Sequence, residues 1–208
     1  MRLKKMIGAL CLVLSILSMF VETVAAGAPA GKYEVLETEK TFLVAGKLEV
    51  IVFVDFYCHH CLEFDREVLQ AILLEYGERL EVKLIGLPVI REESNAAIEL
   101  YLAAAHFGKG EVMKELLFNV IHDPAEPEKS PRELIGAAGL PFDPVFTLLR
   151  SGEINRELQA GIRLAERYGI HATPGVVING KYRVVDLSLK NLTSIVDGLL
   201  RELSTRNI

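Results

Sequence analysis

Residues 48–61, LEVIVFVDFYCHHC, decide the fold, because a run of β-branched and aromatic residues leads directly into two cysteines three positions apart. Residues 48–56 are almost continuously apolar, which is typical of a strand buried on both faces of a sheet. Apolar residues then recur at helical spacing as far as Gly77, which suits a helix end. Residues 80–87 alternate apolar with charged side chains and predict a second strand. Together these segments predict a right-handed βαβ unit with parallel strands.

The composition is that of a packed globular domain. The chain has 208 residues, of which 50% are hydrophobic, 25% charged and 7% aromatic. These values exclude disordered, collagen-like and coiled-coil chains. The net charge is −5, and the body of the chain has no run of basic residues. We therefore expect no nucleic-acid partner and no binding to anionic membrane surfaces.

The first 26 residues are predicted to be an export signal. Three of the first five residues are basic, residues 6–20 are apolar or small, and residues 24–26 (VAA) match the small-residue cleavage pattern. We place the cut after Ala26. The alternative is an uncleaved membrane anchor, but the apolar run is shorter than the roughly 20 residues that span a bilayer. The protein is thus expected in the periplasm or another extracytoplasmic space.

The cysteines favour a chemical role. Cys11 lies in the export signal, so the mature chain keeps only Cys58 and Cys61. Disulfides persist in exported proteins, but a loop this short gains little stability from a bridge. The alternative interpretations are that the two cysteines form half of a zinc site, or that the pair is chemically inert. Zinc usually takes four ligands, no second cysteine pair exists, and His59 and His60 are badly placed to complete a tetrahedron. We expect redox chemistry and no metal.

The rest of the chain is mainly helical until its last forty residues. Residues 33–37 could form an edge strand. Ser130 and Glu133 form a capping box around a proline, and Asp143 before Pro144 repeats the cap-then-proline pattern. Asn179-Gly180 between two β-branched runs predicts a hairpin, and Ser188 would cap a last helix. Helical pieces are predicted at 93–107, 110–122, 131–139, 142–151 and 153–168.

The order of elements and two motifs resemble the thioredoxin fold, and specifically the DsbA family of exported thiol:disulfide oxidoreductases. The motifs are FYCHHC at residues 56–61 and ATPGVVING at residues 172–180, with a helical stretch between them. The resemblance implies an α/β, thioredoxin-like fold with an inserted all-helical subdomain. Residues 33–91 and 170–204 would form the discontinuous thioredoxin-like domain, and residues 92–169 the helical insertion.

The cysteine pair lies where a helix begins. Unpaired N–H groups and the helix dipole favour the thiolate form of Cys58, which would make its disulfide a strong oxidant. The resemblance implies that a substrate thiolate attacks Cys58, and that the more buried Cys61 resolves the mixed disulfide. His60 matches a frequent histidine of the family and can stabilise a neighbouring thiolate, whereas His59 replaces the commoner proline. For each histidine the alternative is a solvated turn residue.

Thr173-Pro174 resembles the family's cis-proline loop, which faces the cysteines. Such a loop would present the backbone of Thr173 to an extended substrate. The alternative is an ordinary trans turn that leads into the hairpin.

Polar residues near the pair have simpler interpretations. Asp55 could influence the thiols or cap a backbone amide, and we favour the cap. Val52 stands where the family often has a buried acid, which leaves the proton route to Cys61 open. His106 and His122 are interpreted as surface or helix-end residues, and so is His171, which could also rim the substrate groove.

The predicted function is oxidation of cysteine pairs in reduced or unfolded exported proteins. The resemblance implies recycling by an integral membrane, quinone-linked thiol oxidase, with no cofactor beyond the Cys58–Cys61 disulfide. We expect a monomer. Two alternatives are a disulfide isomerase or reductase on the same fold, and a redox-inert binding module or chaperone.

Overall fold

The computed structural model describes residues 28–37 and 46–206, so the predicted export signal and Cys11 lie outside the described residues. Within these ranges five strands form one mixed sheet. The strands are β1 Tyr33–Val35, β2 Leu48–Val54, β3 Leu80–Gly86, β4 Gly175–Ile178 and β5 Tyr182–Val184. Their order across the sheet is β1-β5-β4-β2-β3.

Strand β2 is buried along its whole length. It pairs in parallel with β3, where Val50 lies opposite Val82, and antiparallel with β4, where Val50 lies opposite Ile178. Its even-numbered apolar residues belong to the main hydrophobic core, whereas Ile51 and Phe53 belong to a second cluster. Successive side chains of a strand point to opposite faces, so β2 is covered on both sides of the sheet. This explains its continuous apolar sequence.

The predicted hairpin joins β4 and β5. Asn179 and Gly180 both have positive φ, 51° and 64°, and the Lys181 N–H donates to the Ile178 carbonyl at 3.0 Å. Two positive φ values define the tight hairpin turn that Asn-Gly favours. The Asn179 side chain also accepts from the Glu49 N–H at 2.9 Å, which ties the turn to the start of β2.

The helix after the cysteine turn, α1, is continuous but irregular. It consists of an α-helical segment His59–Glu63, a π-helical segment Phe64–Leu69 and a second α-helical segment Gln70–Tyr76. It ends at Gly77, where φ is 50°. The sequence predicted the helix but not its π segment, which buries Phe64, Asp65 and Leu69.

Five helices lie between β3 and β4, as predicted, and their bounds differ from the predicted ones by no more than two residues. The capping box of Ser130 and Glu133 is confirmed. None of the helices in the described ranges has an apolar stretch long enough to cross a lipid bilayer. The five are α2 Ser94–His106, α3 Gly110–His122, α4 Pro131–Ala137, α5 Phe142–Arg150 and α6 Glu153–Arg167.

The cap predicted at Asp143 is wrong. Helix α5 begins at Phe142, the first residue of the predicted range, so Asp143 lies in its first turn and Pro141 occupies the N-cap without a side-chain hydrogen bond. The Phe142 ring stacks on Phe146 one turn later, with centroids 5.3 Å apart. This aromatic pair stabilises the helical conformation of Phe142, which sequence rules based on polar caps do not detect.

The helices between β3 and β4 contact the rest of the protein at two places relevant to the site. Helix α6 packs against β3, and its Ala165 joins the second hydrophobic cluster of the sheet. Helix α3 is joined to the π segment of α1 by an ion pair of Lys114 and Asp65, 2.9 Å apart and both almost fully buried.

The last helix, α7 Leu189–Arg206, packs against α1, where the Tyr76 hydroxyl donates to Asp197 at 2.9 Å. The predicted α/β fold with inserted helices is confirmed.

Candidate active site

A tight turn carries the chain from β2 into α1. The Cys58 N–H donates to the Asp55 carbonyl at 3.0 Å, so residues 55–58 form a β-turn. Cys58 is the N-cap of α1, with extended φ and ψ of −85° and 111°. Its carbonyl accepts from the N–H groups of Cys61 and Leu62, at 3.0 and 3.3 Å. The spacing of three residues therefore places both cysteines at the first helical turn.

Both cysteines are free thiols in the structure, and both are buried. Cys58 keeps 5% of its surface accessible and Cys61 none. The order of burial agrees with the prediction, although the opening at Cys58 is small. Of the two cysteines, only Cys58 keeps any accessible surface.

The Thr173-Pro174 loop lies against the cysteine pair. Its peptide bond is cis, as predicted. The Cys58 thiol donates to the Thr173 carbonyl oxygen, 3.3 Å from Sγ. The Thr173 hydroxyl is buried and has no hydrogen-bond partner in the described part of the chain. The loop thus supplies one paired carbonyl and one unpaired hydroxyl to the site.

The Cys61 thiol is held in its protonated form. Burial raises the pKa of Cys61 to about 12, and the Cys58 sulfur adds to this increase. The Asp55 backbone and the Thr173 side chain act in the opposite direction, because each lowers the Cys61 pKa by a smaller amount. At neutral pH Cys61 is a thiol and a poor nucleophile.

His59 and His60 flank the cysteines in sequence, but neither imidazole is hydrogen-bonded to a sulfur. Both side chains are largely exposed and turn to Glu63, at 3.4 Å for His59 Nε2 and 2.9 Å for His60 Nδ1. The bond from His60 holds the Glu63 pKa below its usual value. The histidines can thus act on Cys58 only through space, and their predicted role in stabilising its thiolate stays a prediction.

Asp55 holds the turn and the adjacent loop. Its fully buried carboxylate accepts from the N–H groups of Tyr57, Val89 and Ile90 and from the Ser94 hydroxyl, at 2.8–3.0 Å. These bonds support the backbone-capping interpretation of Asp55. Val52 is fully buried in β2.

His122 is a site residue that sequence reasoning missed. It is the last residue of α3, and its Nε2 lies 2.8 Å from the carbonyl oxygen of Phe56. Its ring centroid is 5.7 Å from that of His59. No local sequence signal relates His122 to Phe56, because 66 residues separate them. His106 lies apart in a bond to Glu157 at 2.8 Å, and His171 is exposed.

A groove of about 480 Å³ begins at Tyr57, immediately before Cys58. Helices α2, α3 and α4 form its apolar wall, and Arg91, whose guanidinium lies 4.9 Å from the Tyr57 ring centroid, stands at its edge. Within residues 28–37 and 46–206, no group of three or more His, Cys, Asp or Glu side chains is arranged to hold a metal ion.

Comparison with known proteins gives consistent matches. Residues 44–198 match the family model described as Thioredoxin. The chain is 23% identical to the thiol:disulfide interchange protein DsbA of Burkholderia cepacia over 99% of this chain and all of that protein. It is 25% identical to the DsbA of Haemophilus influenzae over 96% of this chain and all of the relative.

Solved structures show the same fold. The oxidoreductase DsbA from Xylella fastidiosa superposes with a TM-score of 0.67 at 23% identity, covering 84% of this chain and 92% of the other. The oxidoreductase NmDsbA1 from N. meningitidis superposes with a TM-score of 0.63 at 21% identity, covering 88% and 97% of the two chains.

Proposed function

Because this chain belongs to the thioredoxin family, and within it to the DsbA group of thiol:disulfide oxidoreductases, we propose that it oxidises cysteine pairs in exported proteins. The oxidant is the Cys58–Cys61 disulfide itself, with no further cofactor. The observation that carries the proposal is the asymmetry of the pair. Cys58 keeps a small accessible surface and lies at a helix N-terminus, whereas Cys61 is fully buried and held protonated.

The reaction begins at Cys58. A substrate thiolate attacks the Cys58 sulfur, forms a mixed disulfide and breaks the Cys58–Cys61 bond. Cys61 leaves as a thiolate and takes up a proton, which its raised pKa favours. A second substrate thiolate then attacks the substrate sulfur of the mixed disulfide and releases Cys58 as a thiolate. The substrate loses two electrons, and the cysteine pair gains them.

The asymmetry also favours completion of the reaction. Attack by Cys61 on the mixed disulfide would reverse the first step, and only a thiolate attacks efficiently. A Cys61 that remains protonated at neutral pH makes this reversal slow. The helix N-terminus stabilises the negative charge on the released Cys58, which favours the reduced protein and hence oxidation of the substrate.

The substrates we propose are reduced or unfolded polypeptides. The Thr173 carbonyl can accept a hydrogen bond from an extended chain once Cys58 no longer donates to it. The groove at Tyr57, next to Cys58 in the chain, offers the apolar wall of helices α2, α3 and α4 to side chains near the substrate cysteine. Neither feature selects a particular sequence, which suits an enzyme that acts on many exported proteins.

Export and recycling complete the proposal. Residues 1–26 direct the protein out of the cytoplasm, and cleavage leaves a monomer that begins near Gly27. An integral membrane, quinone-linked thiol oxidase accepts the two electrons and restores the disulfide. Mass spectrometry of the exported protein should find an N-terminus near Gly27. A membrane-bound protein that retains residues 1–26 would contradict this part.

The reduction potential of the cysteine pair tests the central claim. Equilibration with glutathione should give a reduction potential of about −120 mV, as expected of a strong oxidant. A potential of about −270 mV, in the range of reducing thioredoxins, would overturn the proposed oxidase function and support the reductase alternative. A pair that does not exchange with glutathione would support a redox-inert binding module.

A further inference from the structure

The peptide unit between Phe56 and Tyr57 is held at both of its polar ends. Its N–H, from Tyr57, donates to the Asp55 carboxylate at 3.0 Å. Its carbonyl oxygen, from Phe56, lies 2.8 Å from Nε2 of His122. A carbonyl oxygen only accepts, so His122 Nε2 must carry the hydrogen and donate it. Asp55 belongs to the turn itself, whereas His122 comes from helix α3.

This peptide unit has a special place in the turn. Residues 55–58 form a β-turn closed by the bond from the Cys58 N–H to the Asp55 carbonyl, and the Phe56–Tyr57 peptide is its central one. The two commonest turn types differ by rotation of the central peptide by about half a turn, which gives the third residue a positive φ. Tyr57 does not have a positive φ, since Asn179 is the one non-glycine residue among those described that does. The two hydrogen bonds therefore hold the turn in a single form.

His122 also reaches the other side of Cys58. Its ring centroid lies 5.7 Å from that of His59, the first residue of α1, at an interplanar angle of 52°. It also contacts Phe118, one turn earlier on α3, with centroids 6.2 Å apart. Phe118 in turn packs against the Phe56 ring at 5.2 Å. Helix α3 thus contacts Phe56, two positions before Cys58, and His59, directly after it.

We propose that His122 is a positioning residue that fixes Cys58 from both sides and so couples the inserted helices to the redox centre. It does so by bonding the central carbonyl of the Asp55–Cys58 turn and by packing against His59. The inference rests on the proposed redox role of Cys58 and names a residue that controls it. Without the His122 bond the buried Phe56 carbonyl loses its donor, and the turn and the helix start gain freedom to move.

Three variants separate the effect of the His122 hydrogen bond from the effect of its ring contacts. His122→Phe keeps an aromatic ring against His59 and Phe118 but cannot donate. His122→Gln keeps an N–H donor at similar reach. His106→Phe is the matched control, because His106 also ends a helix of the insertion and bonds an acceptor, Glu157, remote from the cysteines.

The first measurement is the rate of alkylation of Cys58 in the reduced protein by iodoacetamide, in a Cys61→Ala background shared by all variants. Because the His122 bond holds Cys58 in its reactive position, its loss in His122→Phe should slow alkylation. The expected factor is about fivefold, which corresponds to one hydrogen bond of ordinary strength. The His122→Gln variant should react within about twofold of the parent, and His106→Phe at the parental rate. Equilibrium constants with glutathione, measured with Cys61 present, should change in His122→Phe and recover in His122→Gln.

The outcomes are distinct. His122→Phe reacting like His106→Phe in both measurements would overturn the inference, even if the parent protein proves to be a strong oxidant. A parent whose cysteines do not exchange with glutathione would instead contradict the proposed function. Should His122→Phe not fold, nitrogen-15 spectra of the unmodified protein decide, because the inference requires His122 Nε2 to be protonated and hydrogen-bonded. An imidazole protonated only at Nδ1 would overturn it.

Discussion

The thiol of Cys58 donates a hydrogen bond to the carbonyl oxygen of Thr173, 3.3 Å away, although 115 residues separate the two in the chain. This contact joins the cysteine turn to the loop before β4. In the dithiol form, the Cys58 thiol occupies the carbonyl acceptor that the backbone of an incoming substrate would use. The reactive sulfur and the proposed substrate-binding edge are therefore adjacent, so oxidation of Cys58 frees the Thr173 carbonyl.

Removal of each cysteine should have a different consequence. Cys58→Ser should abolish oxidation of a dithiol peptide, because the buried sulfur of Cys61 cannot be reached by a substrate thiolate. Cys61→Ser should instead accumulate mixed disulfides when it is supplied with a substrate disulfide, because Cys58 displaces one substrate thiolate and no Cys61 thiol remains to attack the Cys58–substrate bond. Non-reducing gel electrophoresis with mass spectrometry measures both results. Accumulation of mixed disulfides in Cys58→Ser rather than in Cys61→Ser would reverse the assigned roles.

The reduced protein should lose stability in alkali more steeply than the oxidised one. Burial raises the pKa of Cys61 from about 9 to about 12. A thiol with a raised pKa in the folded state contributes fully to stability below its unfolded pKa, and this contribution is lost as pH rises from about 9 to about 12. The loss should be on the order of 3–4 kcal/mol.

Urea unfolding of both redox forms from pH 7 to pH 11 tests this prediction. The difference between the two forms isolates the thiols, because buried tyrosines such as Tyr76 and Tyr101, whose pKa values are also raised to about 12, are common to both. A difference in free energy of unfolding that stays constant across this range would show that Cys61 ionises freely in the folded protein.

Thr173→Val should alter reactivity more than stability. The buried Thr173 hydroxyl has no partner, so exchanging it for a methyl group should change the free energy of unfolding by less than about 1 kcal/mol. It also removes a group that lowers the Cys61 pKa, so rates of exchange with a model disulfide should fall. Thr147→Val, at an exposed position of α5, is the control and should leave the rates unchanged. A variant with parental rates but much lower stability would assign Thr173 a purely structural role.

Asp55→Ala should destabilise the protein by at least about 3 kcal/mol, because it leaves four buried donors without their common acceptor. Asp143→Asn, at an exposed position of helix α5, should cost under about 1 kcal/mol. Urea titration of both variants provides the comparison. Equal losses would mean that the buried bonds of Asp55 contribute no more than an exposed carboxylate.

The double variant His59→Pro with His60→Val should make the disulfide less oxidising. Both imidazoles pair with Glu63 and act on Cys58 only through space, so the expected shift is below about 30 mV, a tenfold change in equilibrium constant. Glu63→Gln should shift the potential in the opposite direction, because it removes a negative charge near the Cys58 thiolate. Glutathione equilibria measure both. An unchanged potential in the double variant would show that the histidines are bystanders.

Most of the architecture could be predicted from the sequence because its signals are local. The apolar run of β2, the capping box of Ser130 and the Asn179-Gly180 turn each depend on neighbouring residues, and each lies where predicted. The π segment of α1 was missed, since apolar spacing does not distinguish it from a regular helix. The first residue of α5 was predicted correctly, but its cap was wrongly assigned to Asp143, because the Phe142–Phe146 contact outweighs the preference for a polar cap.

The contents of the site were less predictable. The cysteines and the Thr173-Pro174 loop are visible as motifs, but the partners of each side chain depend on tertiary packing. His122 donates to Phe56 across 66 residues of chain, so nothing near it in sequence distinguishes it from His106, which also ends a helix. His59 and His60 adjoin the cysteines in sequence and yet turn to Glu63, because a helical turn places that carboxylate within their reach.

The pairing of β2 has a consequence for the order in which the protein can assemble. Its parallel neighbour β3 follows within about 30 residues, but its antiparallel neighbour β4 is more than 120 residues away, as the pairing of Val50 with Ile178 shows. Contacts between such distant segments form late and slowly. As the chain folds, Cys58 therefore spends an interval next to the unpaired edge of β2, before β4 and Thr173 reach it. During that interval both thiols are accessible to any oxidant. The late pairing of β4 with β2 therefore both completes the sheet and covers the redox centre.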